Sequence, residues 1–327
     1  MYRKHSGYFL AASLTAAIAV APVAYAQTTL KLINEYPATS ITATADLNFA
    51  EQVNKLSQGS LEVKTLQEKD NPFKGVDQVD AVSKGDVQMG TIFGGILGAK
   101  DSLFLLSSLP FASKDFKQAR AIYTCAKPAL EARAQALNTR LLYVTPWPPS
   151  GIWSVKPVAN AGDLKNLKIR TYDQTSKAVF QNLGAESVNL PYSALAEKLA
   201  AGEVNAVLTS GDGGAGRKLW DHLPNFTAVN YSIPLSYTII NNDTWNKLSP
   251  EQQSTLTKAA EQVSEASWSG VEKRIDANYA RMQENKMTLN KTPSAAVMEA
   301  LSKAGAAETA SWMKANPLDE REKACLN

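Results

Sequence analysis

The sequence predicts an α/β protein of two lobes with one long helix running across both. Three observations carry this. Short β-like runs alternate with longer helical ones over most of the chain, the pattern of mostly parallel sheets flanked by helices. Pro146, Pro148 and Pro149 break the chain directly after a strand, where a crossover between lobes fits. Residues 251–286 contain no proline and only Gly270. Such a helix is roughly 50 Å long at 1.5 Å per residue, more than one small domain's diameter, so it should touch both lobes.

The chain opens with Arg3, Lys4 and His5, an apolar run over residues 8–23, and Ala24-Tyr25-Ala26. This is the pattern of a secretory signal peptide cleaved after Ala26. Ser13, Thr15 and Pro22 interrupt the apolar part, which is short for a span of about 20 residues. Strands are predicted at residues 30–34, 61–66, 87–93 and 141–144. Helices fall at 42–58, closed by Gly59, and at 76–84, capped by Gly85. A second set of strands follows the prolines, at 152–155, 167–170, 187–190 and 206–210, and residues 237–242 return to the first lobe. Ser249-Pro250 starts the long helix, with Leu256, Ala260, Val263, Ser267, Val271, Ile275, Tyr279 and Met282 on one face. The expected division is 1–26 signal peptide, 27–146 with 236–265 as the first lobe, and 147–235 with 266–327 as the second. The helix at 251–286 is shared between them.

Composition excludes several chemistries. Removing Arg3 and Lys4 with the signal peptide brings the formal charge from +3 to +1, which gives no reason to expect nucleic acid or anionic lipid as partner. His222 becomes the one histidine of the mature chain, so zinc sites and histidine-based nucleophilic machinery are not expected, nor any cofactor. Cys125 and Cys325 are the two cysteines, and in an oxidising compartment an even pair reads as one disulfide, with two buried free thiols as the alternative. Such a bridge would tie the C-terminal tail to the body of the first lobe. The segment "SGDGGAGRK", 210–218, lacks the Lys-Ser/Thr pair of a phosphate-binding loop. It reads instead as a strand, a glycine turn and a helix beginning near Arg217, either a cleft-lining loop at a strand end or a plain turn. Arg170 ends a strand in the same way. Its planar fork suits a carboxylate, although position alone favours a surface arginine paired with a neighbour such as Asp173.

The span "ANAGDLKNLKIRTYDQTSKAVFQNLGAESVNLPYSALAEKLAAGEVNAV" resembles the TRAP transporter solute-binding proteins of the DctP type, with their D-L-K-G-L-K-I-R, G-A-x-P-V and G-x-V-D-G segments. "NKLSQGSLEVKTL", "DQVDAVSKGDVQMG", "LPFASKDFKQARAIY" and "NNDTWNKLSPEQQSTL" resemble further family segments in the right order, so the likeness covers nearly the whole mature chain. The resemblance implies a periplasmic two-lobed clamshell, not an enzyme, that captures an organic acid and delivers it to a membrane permease, with Arg170 pairing with the ligand carboxylate. Many members have a second arginine where this chain has Trp153, and an asparagine where it has Thr209 and Ser210. Replacing the arginine by an indole implies a monocarboxylate with an aromatic or apolar body.

Strand ends supply the remaining cleft candidates: Asn34, Glu35 and Tyr36, then Phe93, Thr209, Ser210 and Asp212, with Trp147 in the crossover and Tyr237 in the return strand. A monomer is expected. Three other readings stay open: a C4-dicarboxylate receptor, a solute-binding protein of an ATP-driven importer, and an exported α/β enzyme without a histidine base.

Overall fold

The computed structural model describes residues 1, 2 and 27–326; from residue 3 onward the expected signal peptide lies outside them. Two sheets organise the chain. The first contains β1 (Thr28–Asn34), β2 (Leu61–Gln67), β3 (Met89–Phe93), β4 (Thr139–Pro146) and β10 (Leu235–Asn241). The second contains β5 (Ser150–Ser154), β6 (Lys168–Thr171), β7 (Glu186–Asn189), β8 (Ala206–Ser210), β9 (Asn225–Thr227) and β11 (Thr288–Asn290). Their orders are β2-β1-β3-β10-β4 and β11-β9-β5-β8-β6-β7.

The sheets are not uniformly parallel. β10 runs against both β3 and β4, and β5 runs against both β8 and β9. These are the two strands that begin just after the chain crosses between sheets, at residues 147–149 and 228–234. A strand entered from the boundary must run away from it, whereas the parallel strands end there. The strand ends of both sheets therefore meet in one cleft.

The helices are α1 (Ile41–Leu56), α2 (Asp77–Lys84), α3 (Gly94–Leu97), α4 (Phe116–Ala136), α5 (Gln174–Asn182), α6 (Leu195–Ala200), α7 (Gly211–Gly216), α8 (Asn242–Lys247), α9 (Pro250–Glu284), α10 (Ala295–Ala315) and α11 (Glu320–Ala324). The period of two along a strand splits the first sheet's residues between two cores. Leu30 and Leu32 of β1 pack with Phe49 of α1 and Leu256, Ala260 and Val263 of α9, while Ile33 packs with Val79, Ile92, Phe104 and Ile239. A third core surrounds the second sheet, including Ile152, Ile169, Phe180, Leu208 and Met282.

Ser249 caps α9 reciprocally with Gln252, and Pro250 occupies its first turn, so the start predicted from Ser-Pro is also the observed one. At 35 residues the helix is about 52 Å long. It packs on α1 and β4 early, then on α7 and β11. Its buried face contains Trp268 and Asn278, which a single stripe did not anticipate, because the partner changes along its length. Cys125 of α4 and Cys325 form a disulfide with Cα atoms 5.5 Å apart, fixing the C-terminal tail against α4. None of the described helices is long and apolar enough to cross a membrane.

Candidate functional site

Where the strand ends of the two sheets face each other, a small pocket opens in the cleft. Arg170 enters it from β6, where its backbone is fixed between Val188 of β7 and Val207 of β8. The residue is only 4 % exposed. Its Nε donates to the Leu190 carbonyl at 2.9 Å, and the two terminal nitrogens have no hydrogen-bond or ion-pair partner among the described residues. Burial pulls the guanidinium pKa down, opposed by the nearby Tyr36 and Glu35. A guanidinium starts so high that it stays charged.

Aromatic rings form the walls. Tyr36 follows β1 and lies against Trp147 at 4.7 Å and Tyr192 at 4.8 Å between ring centres. Phe93, at the end of β3, meets Tyr172 edge-on at 5.3 Å. Each ring has its own restraint. Trp147 Nε1 donates to Ser236 Oγ at 3.0 Å, the Tyr172 hydroxyl pairs with Ser232 Oγ at 2.8 Å, and Tyr192 donates to the Gly213 carbonyl. Ser150, Thr209, Ser210 and Pro234 complete the lining. Among the described residues no other cationic side chain lines this pocket, and Arg217 lies over the Tyr192 ring at 4.4 Å. Two buried carboxyls flank the arginine. Glu35 Oε2 accepts from Gly75 N at 3.1 Å while Oε1 is buried without a partner, and Asp173 caps α5 through Oδ1. Burial raises both carboxyl pKa values, and Arg170 works against each rise. The site is thus one cation in an aromatic box, an arrangement suited to holding a small carboxylate.

The model of the bacterial extracellular solute-binding proteins, family 7 (DctP), matches residues 34–313. The chain belongs to the DctP family. That family is one of solute receptors, not of enzymes, and its extracellular character fits an exported protein. Among solved structures, a marine metagenome TRAP solute-binding protein specific for pyroglutamate is 27% identical, with a TM-score of 0.85 over 92% of this chain and 98% of that one. DctP7, a Bordetella pertussis extracytoplasmic solute receptor binding pyroglutamic acid, shares the fold at 24% identity and a TM-score of 0.87 over 91% and 99%. A Pseudomonas aeruginosa TRAP receptor with bound L-malate does so at 17% and 0.81 over 87% and 99%. The chain thus has the two-lobed fold of the TRAP solute receptors, as the sequence motifs implied.

Within this DctP-family chain, Arg170, Tyr36, Phe93, Trp147, Thr209 and Ser210 come together on the pocket, and five other sequence candidates do not, Glu35 standing beside Arg170 outside the lining. Trp153 is wholly buried; its Nε1 donates to the Ser210 carbonyl at 3.3 Å and its ring packs edge-on to Phe226. β5 starts at the cleft with Ser150 and runs away from it, so a residue three positions in supports the site from behind. The indole-for-arginine argument about the ligand loses its basis. Tyr237, two positions into the fully buried β10, packs edge-on to Phe104. Asn34 bridges Asp46 Oδ2 at 2.6 Å and Tyr36 N at 3.0 Å, holding the turn that presents Tyr36. Asp212 faces α1 and α9. The segment 211–216 is itself the helix α7, not a turn preceding one. Sequence reasoning missed Ser150, Tyr172, Tyr192 and Pro234, although Tyr172 and Tyr192 each lie two residues past a predicted strand and the strand-end rule could have reached them.

Proposed function

We propose that the protein is the periplasmic receptor of a TRAP transporter, taking a small monocarboxylate with a flat or apolar body and delivering it to a membrane permease. The observation that carries the reading is Arg170. A buried guanidinium with two unpartnered nitrogens is costly, and a carboxylate ligand offsets that cost through two parallel charge-assisted hydrogen bonds. With one cation in the lining, a second ligand carboxylate has no charged partner, while the rings of Tyr36, Phe93, Trp147, Tyr172 and Tyr192 favour a planar body. Pyroglutamate, which the metagenome relative is described as binding, is such an acid: one carboxylate on a five-membered ring. The lobes on this reading are 27–146 with 236–265 and 147–235 with 266–327, closing on the acid as a monomer.

The test is a thermal-shift panel on purified protein, containing L-pyroglutamate, phenylacetate, succinate and malate, followed by calorimetry. A ligand at 100 times its Kd stabilises by about 2.7 kcal/mol. Monocarboxylates are expected to give the larger shifts. Tighter binding of succinate or malate would overturn the ligand class, and no response to any organic acid would overturn the anchor.

A further inference from the structure

Asp212 was a candidate for ligand contact, but its surroundings assign it another task. It stands at the start of α7, two residues beyond the cavity-lining Ser210, and its side chain is completely buried. Its Oδ1 accepts from the backbone N–H of Ile41 at 2.9 Å, across the cleft. Ile41 is the first residue of α1, whose Ser40 cap satisfies Ala43 and leaves the Ile41 donor free for an outside partner. Oδ2 accepts from Asn278 Nδ2 of α9 at 3.0 Å and from Arg274 Nε, and Arg274 also donates to the Thr39 carbonyl in the turn before α1. One carboxylate of the second lobe therefore collects a helix N-terminus of the first lobe and two side chains of the shared helix.

We propose that Asp212 is a clasp that holds the closed form, linking the ligand-lining turn of β8 to α1 across the cleft. This rests on the reading of the cavity as the solute site. If the lobes part, the Ile41 donor and a fully buried carboxylate lose each other together, so the bond favours closure over opening. A residue of this kind sets how long a captured acid stays, not how fast it arrives.

The experiment uses the full mature chain carrying Asn54→Cys on α1 and Gln181→Cys on α5, both exposed, labelled for energy transfer between the lobes. Asp212→Asn, Arg274→Gln and Ile41→Pro are compared with the parent, without and with saturating L-pyroglutamate. Ile41→Pro deletes the donor N–H together with the half-buried Ile41 side chain, for which Ile41→Ala is the control; the backbone accepts it, because proline is well tolerated at a first helical position and Ser40, at ψ 157°, already has the conformation that precedes it. Its folding keeps the test valid should Asp212→Asn fold poorly, and thermal melting checks all three. The expected result is a smaller closed fraction in each variant, with dissociation of the acid about tenfold faster and association nearly unchanged. Asp212→Asn combined with Ile41→Pro should add little to either alone. Equal closed fractions in parent and variants under both conditions would overturn the clasp, as would an affinity loss lying wholly in association. A parent that does not respond to L-pyroglutamate speaks against the ligand reading, whereas the comparison without acid still decides the clasp.

Discussion

A buried guanidinium whose two terminal nitrogens have no hydrogen-bond partner keeps part of its desolvation cost even with the Glu35 and Asp173 carboxyls nearby. Arg170 is in that position, whereas Asp46 is the opposite case. The Asp46 carboxylate is fully surrounded, accepting from Thr91 Oγ1 at 2.6 Å, Tyr143 Oη at 2.8 Å and Asn34 Nδ2 at 2.6 Å. One charge awaits a partner; the other is built into the frame. Arg170→Ala should therefore lower affinity for the acid by about 2–5 kcal/mol while the ligand-free protein stays folded. Arg170→Lys should recover little, since a point charge cannot reproduce the fork. Calorimetry paired with thermal melting checks both, and near-parental affinity in the two variants would remove Arg170 as anchor. For Asp46, burial outweighs the three donors and pushes its pKa up to about 7. The folded state then holds a proton that the unfolded chain, near 3.9, has lost. Stability from this group is fully present below about pH 4 and lost as the pH rises through about 7, by up to ~1.4 kcal/mol per unit. Urea midpoints measured from pH 4 to 7 should fall more steeply for the parent than for Asp46→Asn; parallel profiles would contradict the shift.

α7 shows what one element owes to its neighbours. Gly-Asp-Gly-Gly-Ala-Gly has poor intrinsic helix propensity, yet it is helical with Ser210 Oγ capping Gly213 N at 3.1 Å. The glycines are there for proximity: a Cβ at Gly214 would lie 2.1 Å from the Trp153 ring, and one at Gly211 would lie 2.9 Å from the Met282 methyl. Propensity alone read this segment as a turn because the packing that overrides it comes from β5 and α9. The same limitation explains Trp153, whose exchange for the family's arginine was visible while its distance from the cleft depended on the direction of β5. Strand-end reasoning worked better for Arg170, Tyr36 and Phe93, since each lies at or within two residues of the end of a strand running into the cleft. Gly214→Ala should act on the site through Trp153. Overpacking of this kind costs about 1–3 kcal/mol, and the displaced ring would shift the Ser210 carbonyl it holds. Denaturation should show the loss together with altered tryptophan emission. An unchanged midpoint with parental emission would mean that α7 can move away freely.

Across the whole molecule, the alternation of strands and helices, the proline crossover and the capped 35-residue helix were legible because each rests on local periodicity or backbone restriction. The reversed strands β5 and β10 were not, because direction is set by where the chain crosses between sheets. The disulfide was legible only as arithmetic, two cysteines in an exported chain, until the fold set α11 on α4. Its effect is on the whole chain. The bridged residues are 200 apart in sequence, so it removes much of the unfolded ensemble, and chain entropy alone sets a ceiling of about 5 kcal/mol. Arg133 adds a contact to Glu322 at 3.3 Å beside it, but that arginine is half exposed and contributes little. Protein carrying Cys125→Ser and Cys325→Ser should therefore lose a large part of its resistance to denaturant, while its affinity for the acid changes little, because neither cysteine lies on the solute cavity. Mass spectrometry without reductant should find the parent lighter by two hydrogens than the reduced chain. Two free thiols in protein recovered from the periplasm, or a double variant as stable as the parent, would show that the tail docks on α4 without needing the bond.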